Sequence, residues 1–130
     1  MDTSPLVRDE IDAGTEFLKQ LSAFMPVIAA CWLREAENEE RYLYAALDGL
    51  TDDNFDIAYG EVLRITGVMK DGYIDPFRVK LIGRDHSVAK AVIDIYRRYS
   101  GRIPSTVNGR VFAGMAVSEV YIYPPLTSNP

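Results

Sequence analysis

The chain has 130 residues, of which 48% are hydrophobic and 25% charged, and its formal net charge is −5 at pH 7. This length fits one domain with its own core, and the composition argues against a disordered chain. A single cysteine, Cys31, excludes an intramolecular disulfide, and a single histidine, His86, excludes a histidine-rich metal site. We therefore expect neither a metal nor another cofactor.

The N-terminal stretch MDTSPLVRDEIDAG carries acids early and has no apolar segment of signal-peptide type. The longest apolar run, Met25 to Leu33, is too short to cross a bilayer. Cys31 lies within this run, which is typical of an inert buried thiol rather than of a nucleophile. We therefore expect a cytoplasmic, bacterial-type protein that does not associate with membranes.

Charge is unevenly distributed along the chain. Up to residue 75 there are six Lys/Arg and sixteen Asp/Glu, and from residue 76 onward there are eight Lys/Arg and three Asp/Glu. A basic C-terminal half can mark a surface that binds nucleic acid or another anion. Alternatively, the two halves interleave in one domain and neutralise each other, or they attract each other between subunits.

The first elements are a helix and a hairpin. Ser4 and Pro5 predict the start of a helix that runs to about Ala23, before Pro26 breaks it. The run VIAACWLRE, the polar turn AENEE and the run RYLYAALDGL then predict two antiparallel strands.

A second helix and a third strand follow. Thr51 predicts the helix N-cap, with Lys70 in the last turn and Gly72 at the position after the helix end. The alternating segment FRVKLIG, from Phe77 to Gly83, predicts a strand with one solvated face.

The last part of the chain predicts a third helix and a closing sheet segment. The helix runs from about Ser87 to Tyr99, and Gly101 ends it. RIPSTVNG predicts a loop with Asn108-Gly109 as a tight turn, and RVFAGMAVSEVYIYP predicts one or two strands. We expect residues 125–130 to form a frayed tail.

The element order is therefore α-β-β-α-β-α-β(β), without repeats or an interior linker. This order predicts a single α+β domain over residues 1–130, in which three helices cover a mostly antiparallel sheet of four to five strands.

The phrases PVIAACWL, YIDPFRVKLIG and VYIYP resemble those of a set of small uncharacterised bacterial proteins. The resemblance covers roughly residues 25 to 124. It implies a self-contained bacterial domain, and it transfers no activity, catalytic residue or partner.

The stretch VKLIGRDHSVAK holds the only histidine of the chain where a strand becomes a helix. Asp85 or Ser87 is expected to cap the helix. The free backbone N–H groups at the start of this helix, together with nearby basic side chains, can also bind a phosphate or a carboxylate. A capping Asp85 would, however, already occupy those donors. Arginines flanking Gly101 complement the negative end of the helix dipole, and they also suit a nucleic-acid backbone. The candidate anion-binding residues are Arg84, His86, Arg97, Arg98 and Arg102.

A nuclease is the sharpest enzymatic hypothesis. Asp48, Asp75 and Lys80 lie near strand ends in an order that loosely resembles the restriction-endonuclease-like core. That chemistry needs two carboxylates to hold Mg²⁺ beside a lysine. Arg78 stands where the family has its second acid, which argues against this reaction, and we expect no catalytic residue.

Aromatic residues alternate with aliphatic ones in two predicted strands. If the aliphatic set faces the core, the tyrosines share a sheet face or edge and form an interface. Alternatively, helices cover both sheet faces and the rings are internal. The candidate interface residues are Trp32, Tyr42, Tyr44, Tyr121 and Tyr123.

These patterns favour a non-catalytic binding or self-association module, with a homodimer as the expected assembly. The alternative is a binder or enzyme that acts on a phosphorylated or nucleic-acid ligand through the basic C-terminal half. An isoelectric point near 4.8 makes nucleic acid the less favoured partner.

Overall fold

In the part of the chain that the structure describes, three helices and five strands follow one another in the predicted order. The structure, a computed structural model, describes residues 8–37, 39–70, 72–98 and 105–126, with the backbone alone described for residues 105–110. The elements are α1 (Arg8–Phe24), β1 (Val27–Glu35), β2 (Arg41–Leu47), α2 (Phe55–Met69), β3 (Val79–Ile82), α3 (Ser87–Arg98), β4 (Ser105–Phe112) and β5 (Met115–Ile122). A 3-10 turn at Pro76–Arg78 precedes β3. The predicted cap at Ser4 and Pro5 lies outside the described residues, as does most of the predicted tail.

The sheet is five-stranded with the order β3-β2-β1-β5-β4, which confirms the α+β fold with a mostly antiparallel sheet. β1 pairs antiparallel with β2, as the hairpin prediction required, and with β5 on its other side. β2 and β3 run parallel, and α2 supplies the crossover connection that a parallel pair needs. β4 and β5 form a closing hairpin. β1 is therefore the central strand.

Helices cover both faces of the sheet. On the face that we call the α1–α2 face, the buried side chains include Trp32, Leu43 and Tyr123. On the opposite face, the α3 face, they include Cys31 and Leu33. Because the middle of β1 and β2 is buried on both sides, these strands have near-continuous apolar runs instead of a strict alternation.

The second helix begins later and ends differently than predicted. Thr51 is not its N-cap, because Thr51 and Asn54 close a turn in which the Thr51 N–H donates to Asn54 Oδ1 over 2.8 Å. The Asn54 N–H donates to Thr51 Oγ1 over 3.3 Å, and Asn54 becomes the cap residue. At the other end Lys70, rather than a glycine, is the first residue in the left-handed region, with φ 57°.

The third strand is shorter than the FRVKLIG pattern predicted. Asp75 Oδ1 accepts the Phe77 N–H over 2.9 Å and so caps a 3-10 turn where the strand was expected to begin. Phe77 is 80% exposed and does not join the core. The strand begins at Val79, where hydrogen bonding to β2 becomes regular.

The closing segment is a hairpin, and its tight turn differs from the predicted one. Asn108 and Gly109 lie inside β4. The turn is at Ala113 and Gly114, whose φ values of 55° and 82° are both positive, as a two-residue type I′ turn requires.

The hydroxyl of Tyr123 joins α1 to the sheet. It accepts the Trp32 Nε1–H over 2.8 Å and donates to the carbonyl oxygen of Ile11 over 2.8 Å. Gly14 provides the room for this contact, since a Cβ at this position would collide with Tyr123 Oη and lie 3.2 Å from Trp32 Nε1. The glycine on α1 is therefore required by packing and not by backbone conformation.

We expect the substitution Gly14→Ala to lower the free energy of unfolding by about 1–3 kcal/mol, because the added methyl group overfills a packed site. In a Tyr123→Phe background, which removes the colliding hydroxyl, the same substitution is expected to cost less. Urea unfolding of the four proteins of this double-mutant cycle measures the difference. Equal costs in the two backgrounds would contradict the proposed contact.

Candidate functional site

The lone histidine caps the third helix. His86 Nδ1 accepts the Val88 N–H over 3.0 Å, so His86 takes the role that we predicted for Asp85 or Ser87. The side chain is exposed at the surface beside Tyr44, with the ring centroids 6.1 Å apart. The geometry gives His86 a structural role in starting the helix.

The structure brings together two of the predicted anion-binding arginines. Arg84 and Arg97 line a shallow pocket of about 460 Å³ with Lys90, and the acids Asp85 and Asp94 lie in the same lining. These carboxylates reduce the positive charge that the pocket offers to an anion.

The other predicted members lie elsewhere or outside the described residues. Arg98 Nε lies 3.2 Å from Asp94 Oδ1 within α3, and Arg84 Nη2 lies 3.4 Å from Asp48 Oδ1. Arg102 lies outside the described residues. The basic set is therefore only partly gathered, and its members are partly neutralised.

The four predicted interface tyrosines do not share one sheet face. Tyr42 and Tyr44 pack with the cluster on the α3 face, whereas Tyr121 and Tyr123 pack with the cluster on the α1–α2 face. Of the two alternatives considered for these rings, the shared face is therefore wrong. Tyr44 and Tyr123 are buried, as is Trp32, which bonds to Tyr123. An interface role for these rings stays a prediction.

Tyr42 lies beside cationic groups at the edge of the α3 face. The Nζ atom of Lys80 lies 4.4 Å from its ring centroid, and the Arg78 guanidinium carbon lies 5.6 Å away. The Tyr42 hydroxyl donates to Glu40 Oε1 over 2.8 Å, and this hydrogen bond is the largest cause of its raised pKa. Such contacts hold the long cationic side chains against the sheet.

The carboxylates of the nuclease hypothesis are not placed to share a metal ion. β2 and β3 run parallel, so Asp48, which follows β2, and Asp75, which precedes β3, lie at opposite ends of the strand pair. Asp48 pairs with Arg84, and Asp75 caps the 3-10 turn. Within residues 8–37, 39–70, 72–98 and 105–126, no group of three or more His, Cys, Asp or Glu side chains is arranged to hold a metal ion.

A polar cleft of about 360 Å³ lies at the end of the sheet where the β1–β2 loop meets α1. Arg41 lies between two carboxylates, 3.5 Å from Glu10 Oε1 and 3.6 Å from Glu119 Oε1. On the other side of the cleft, Arg78 Nη1 lies 3.2 Å from Glu40 Oε1. These half-buried pairs connect α1, β2 and β5, and they neutralise much of the charge in the cleft. The lining consists of Glu10, Trp32, Glu39, Glu40, Arg41, Tyr73, Asp75 and Arg78.

The acidic and basic halves of the chain interleave in one fold. Within the described part of the chain, ion pairs join residues before position 76 to residues after it, namely Arg41–Glu119, Arg78–Glu40 and Arg84–Asp48. The described structure thus supports neutralisation within the domain over a separate basic surface.

The outer face of α2 is an apolar surface that the sequence analysis did not single out. Ile57, Leu63 and Val68 are 64%, 47% and 62% exposed. They lie on the side away from the buried stripe of Ala58, Val62 and Ile65. In the sequence, this surface is indicated by apolar residues at helix positions outside the predicted buried stripe. No helix among the described residues is long and apolar enough to span a membrane.

Cys31 is buried at the centre of the sheet, on the α3 face. Burial raises the pKa of its thiol from 9.0 to about 12, so the nucleophilic thiolate is disfavoured at neutral pH. Burial likewise raises the pKa of Tyr44 from 10.0 to about 12 and raises those of Tyr96 and Tyr123. These groups remain protonated in the folded protein at pH values where they ionise in the unfolded chain.

We therefore expect the free energy of unfolding to fall as the pH rises from about 8 to about 11, because the unfolded chain loses these protons first. Urea unfolding across this range measures the slope. The variant Cys31→Ala is expected to lose the thiol contribution and keep that of the tyrosines. A free energy of unfolding that stays constant or increases over this range would be inconsistent with the burial of these groups.

Comparison of the chain with protein-family models, with curated proteins and with solved structures finds no significant match.

Proposed function

We propose that this chain is a non-catalytic binding module that acts as a homodimer, and that two copies meet through the outer face of α2. A cytoplasmic location belongs to the same proposal, since a protein whose one cysteine is a free thiol suits a reducing compartment.

The observation that carries this proposal is the exposed apolar surface of α2. Eight large apolar side chains are exposed among the described residues, and three of them, Ile57, Leu63 and Val68, lie on the outer side of this helix, whereas Phe55 at its start stacks on Tyr59. Isolated exposed apolar residues are normal, but a group on one element is typical of an interaction surface. Association would remove this surface from water, which is the main favourable contribution to most protein–protein binding.

A second copy is the partner that best suits this surface. Cyclic dimers are the commonest assemblies of soluble proteins, and they use the same patch on both subunits. Each copy carries a formal net charge of −5, which opposes association in general. The exposed and half-exposed residues of α2 and its C-cap, however, carry two acids, Asp56 and Glu61, and two bases, Arg64 and Lys70, and Glu61 and Arg64 form an ion pair. Contact at this face therefore brings together locally balanced charges.

We expect the wild-type protein to sediment as a dimer at micromolar concentration and Ile57→Glu to sediment as a monomer. The new carboxylate would lie in the first turn of α2, where the helix dipole favours an anion, so the substitution is not expected to unfold the helix. Sedimentation velocity measures the assembly state, and circular dichroism verifies the helix.

The matched control is Val111→Glu, which introduces the same charge at a 74% exposed apolar position on β4. This variant is expected to remain dimeric. A monomeric wild-type protein would rule out the proposal, and loss of the dimer in both variants would show that α2 is not the specific contact.

A second candidate function is anion binding at the shallow pocket next to α3. The observation in its favour is that Arg84, Lys90 and Arg97 line one concave surface. A phosphorylated or nucleic-acid ligand would contact these side chains through its phosphates, and its affinity would decrease with salt.

If this candidate is right, a labelled single-stranded oligonucleotide binds with a salt-dependent affinity, and the double variant Lys90→Glu/Arg97→Glu weakens that binding by about tenfold or more. Fluorescence anisotropy at several salt concentrations measures it. Lys19→Glu, a charge reversal at an exposed site on α1, is the control and is expected to have little effect. Salt-independent binding, or no binding, excludes this candidate.

A further inference from the structure

We propose that the two copies place their α2 helices antiparallel across a two-fold axis that passes between Glu61 and Arg64. This inference depends on the proposed self-association and specifies how the two surfaces fit. Its basis is a row of exposed or half-exposed residues on α2. When two copies lie antiparallel, the row on one copy is complementary to the same row on the other.

The row consists of four residues with the spacing four, three, four along the helix: Ile57, Glu61, Arg64 and Val68. Residues three and four apart lie above one another on an α-helix, so these side chains form a single narrow row. The row is apolar at both ends and charged in the middle. Its ends are about 16 Å apart at a rise of 1.5 Å per residue.

An antiparallel two-fold arrangement pairs each apolar member of the row with an apolar residue and each charged member with a residue of opposite charge. Ile57 lies against the partner's Val68, and Val68 lies against the partner's Ile57. In the middle, Glu61 faces the partner's Arg64 and Arg64 faces the partner's Glu61. A parallel arrangement would instead place Glu61 against the partner's Glu61 and Arg64 against the partner's Arg64, which like-charge repulsion disfavours.

The charged pair is already formed within one copy and can be extended across the axis. Arg64 Nε and Nη2 lie 3.1 Å and 2.9 Å from Glu61 Oε1, and these two bonds do not engage Glu61 Oε2. The Arg64 side chain is 56% exposed, so its guanidinium group reaches the surface. Four alternating charges at the centre of the dimer would determine its direction and register.

Two glycines, Gly60 and Gly67, lie on one flank of the row. A Cβ built at either position would meet nothing within 4 Å, so nothing nearby in the fold excludes a larger residue there. The antiparallel arrangement places Gly60 and the partner's Gly67 on the same flank of the contact, so neither copy adds a side chain there. Leu63 lies about 130° around the helix from the row and points away from the partner.

The test uses two charge reversals, Glu61→Arg and Arg64→Glu. For each variant alone, we expect the dissociation constant of the dimer to rise by about tenfold or more, because like charges then face each other across the interface. An equal mixture of the two variants is expected to form a heterodimer with an affinity close to that of the wild type. The double variant Glu61→Arg/Arg64→Glu is expected to dimerise again. Native mass spectrometry distinguishes the two variants by mass, and sedimentation equilibrium gives the dissociation constants.

The control separates the interface from the helix itself. Each reversal also breaks an ion pair within α2, so Asp94→Arg, which breaks the corresponding Arg98–Asp94 pair within α3, is expected to leave the dimer unchanged. Circular dichroism verifies that each variant folds.

The outcomes distinguish this inference from the proposed function. If wild type and Val111→Glu are dimers, Ile57→Glu is a monomer, and the mixed charge variants show no preference for each other, the antiparallel arrangement is wrong and self-association through α2 stands. If the wild type is a monomer, both proposals fail. If the heterodimer forms and the single variants do not dimerise, the arrangement is supported.

Discussion

The antiparallel pairing of β1 with both β2 and β5 is the constraint on which the rest of this structure depends. It places β1 at the centre of the sheet, with both faces buried over most of its length. A strand of this kind needs a helical layer on each side, and three helices supply those layers. α1 and α2 share one side, and α2 packs against α1 and β3 near the edge of the sheet. Only one side of α2 is needed for the core, and its opposite side stays exposed to solvent.

Much of the fold could be predicted from hydrophobic periodicity and from residues that begin or end helices. The element order and the β1–β2 hairpin were correct because both depend on short-range patterns. The tight turn was placed wrongly at Asn108-Gly109, although that dipeptide is a strong local turn signal. The sheet extends through it, since Arg110 pairs with Val117 and Phe112 with Met115. The position of this turn depends on long-range strand pairing, which local turn residues do not encode.

For the candidate sites too, local patterns predict part of the arrangement and long-range strand pairing decides the rest. Alternation shows that Tyr42 and Tyr44 share a face, and it shows the same for Tyr121 and Tyr123. Whether these two faces are the same depends on the register of both strands against β1. Tyr42 is opposite Leu33, whereas Tyr121 is opposite Trp32, the preceding residue. One residue of offset moves a side chain to the other face of a sheet, so the sequence alone could not decide the question. The polar cleft was missed for a related reason, because its charged residues come from separate elements that share no motif.

The central position of β1 also has a consequence for how the chain folds. Trp32 and Tyr123, which are hydrogen-bonded across the β1–β5 pair, are separated by 91 positions in sequence. Contacts of this kind require closure of a long loop before they contribute any stability, and they slow folding. During synthesis, the β1–β2 hairpin and the first two helices leave the ribosome well before β5. Until then one edge of β1 is unpaired and apolar, which makes the nascent chain susceptible to aggregation.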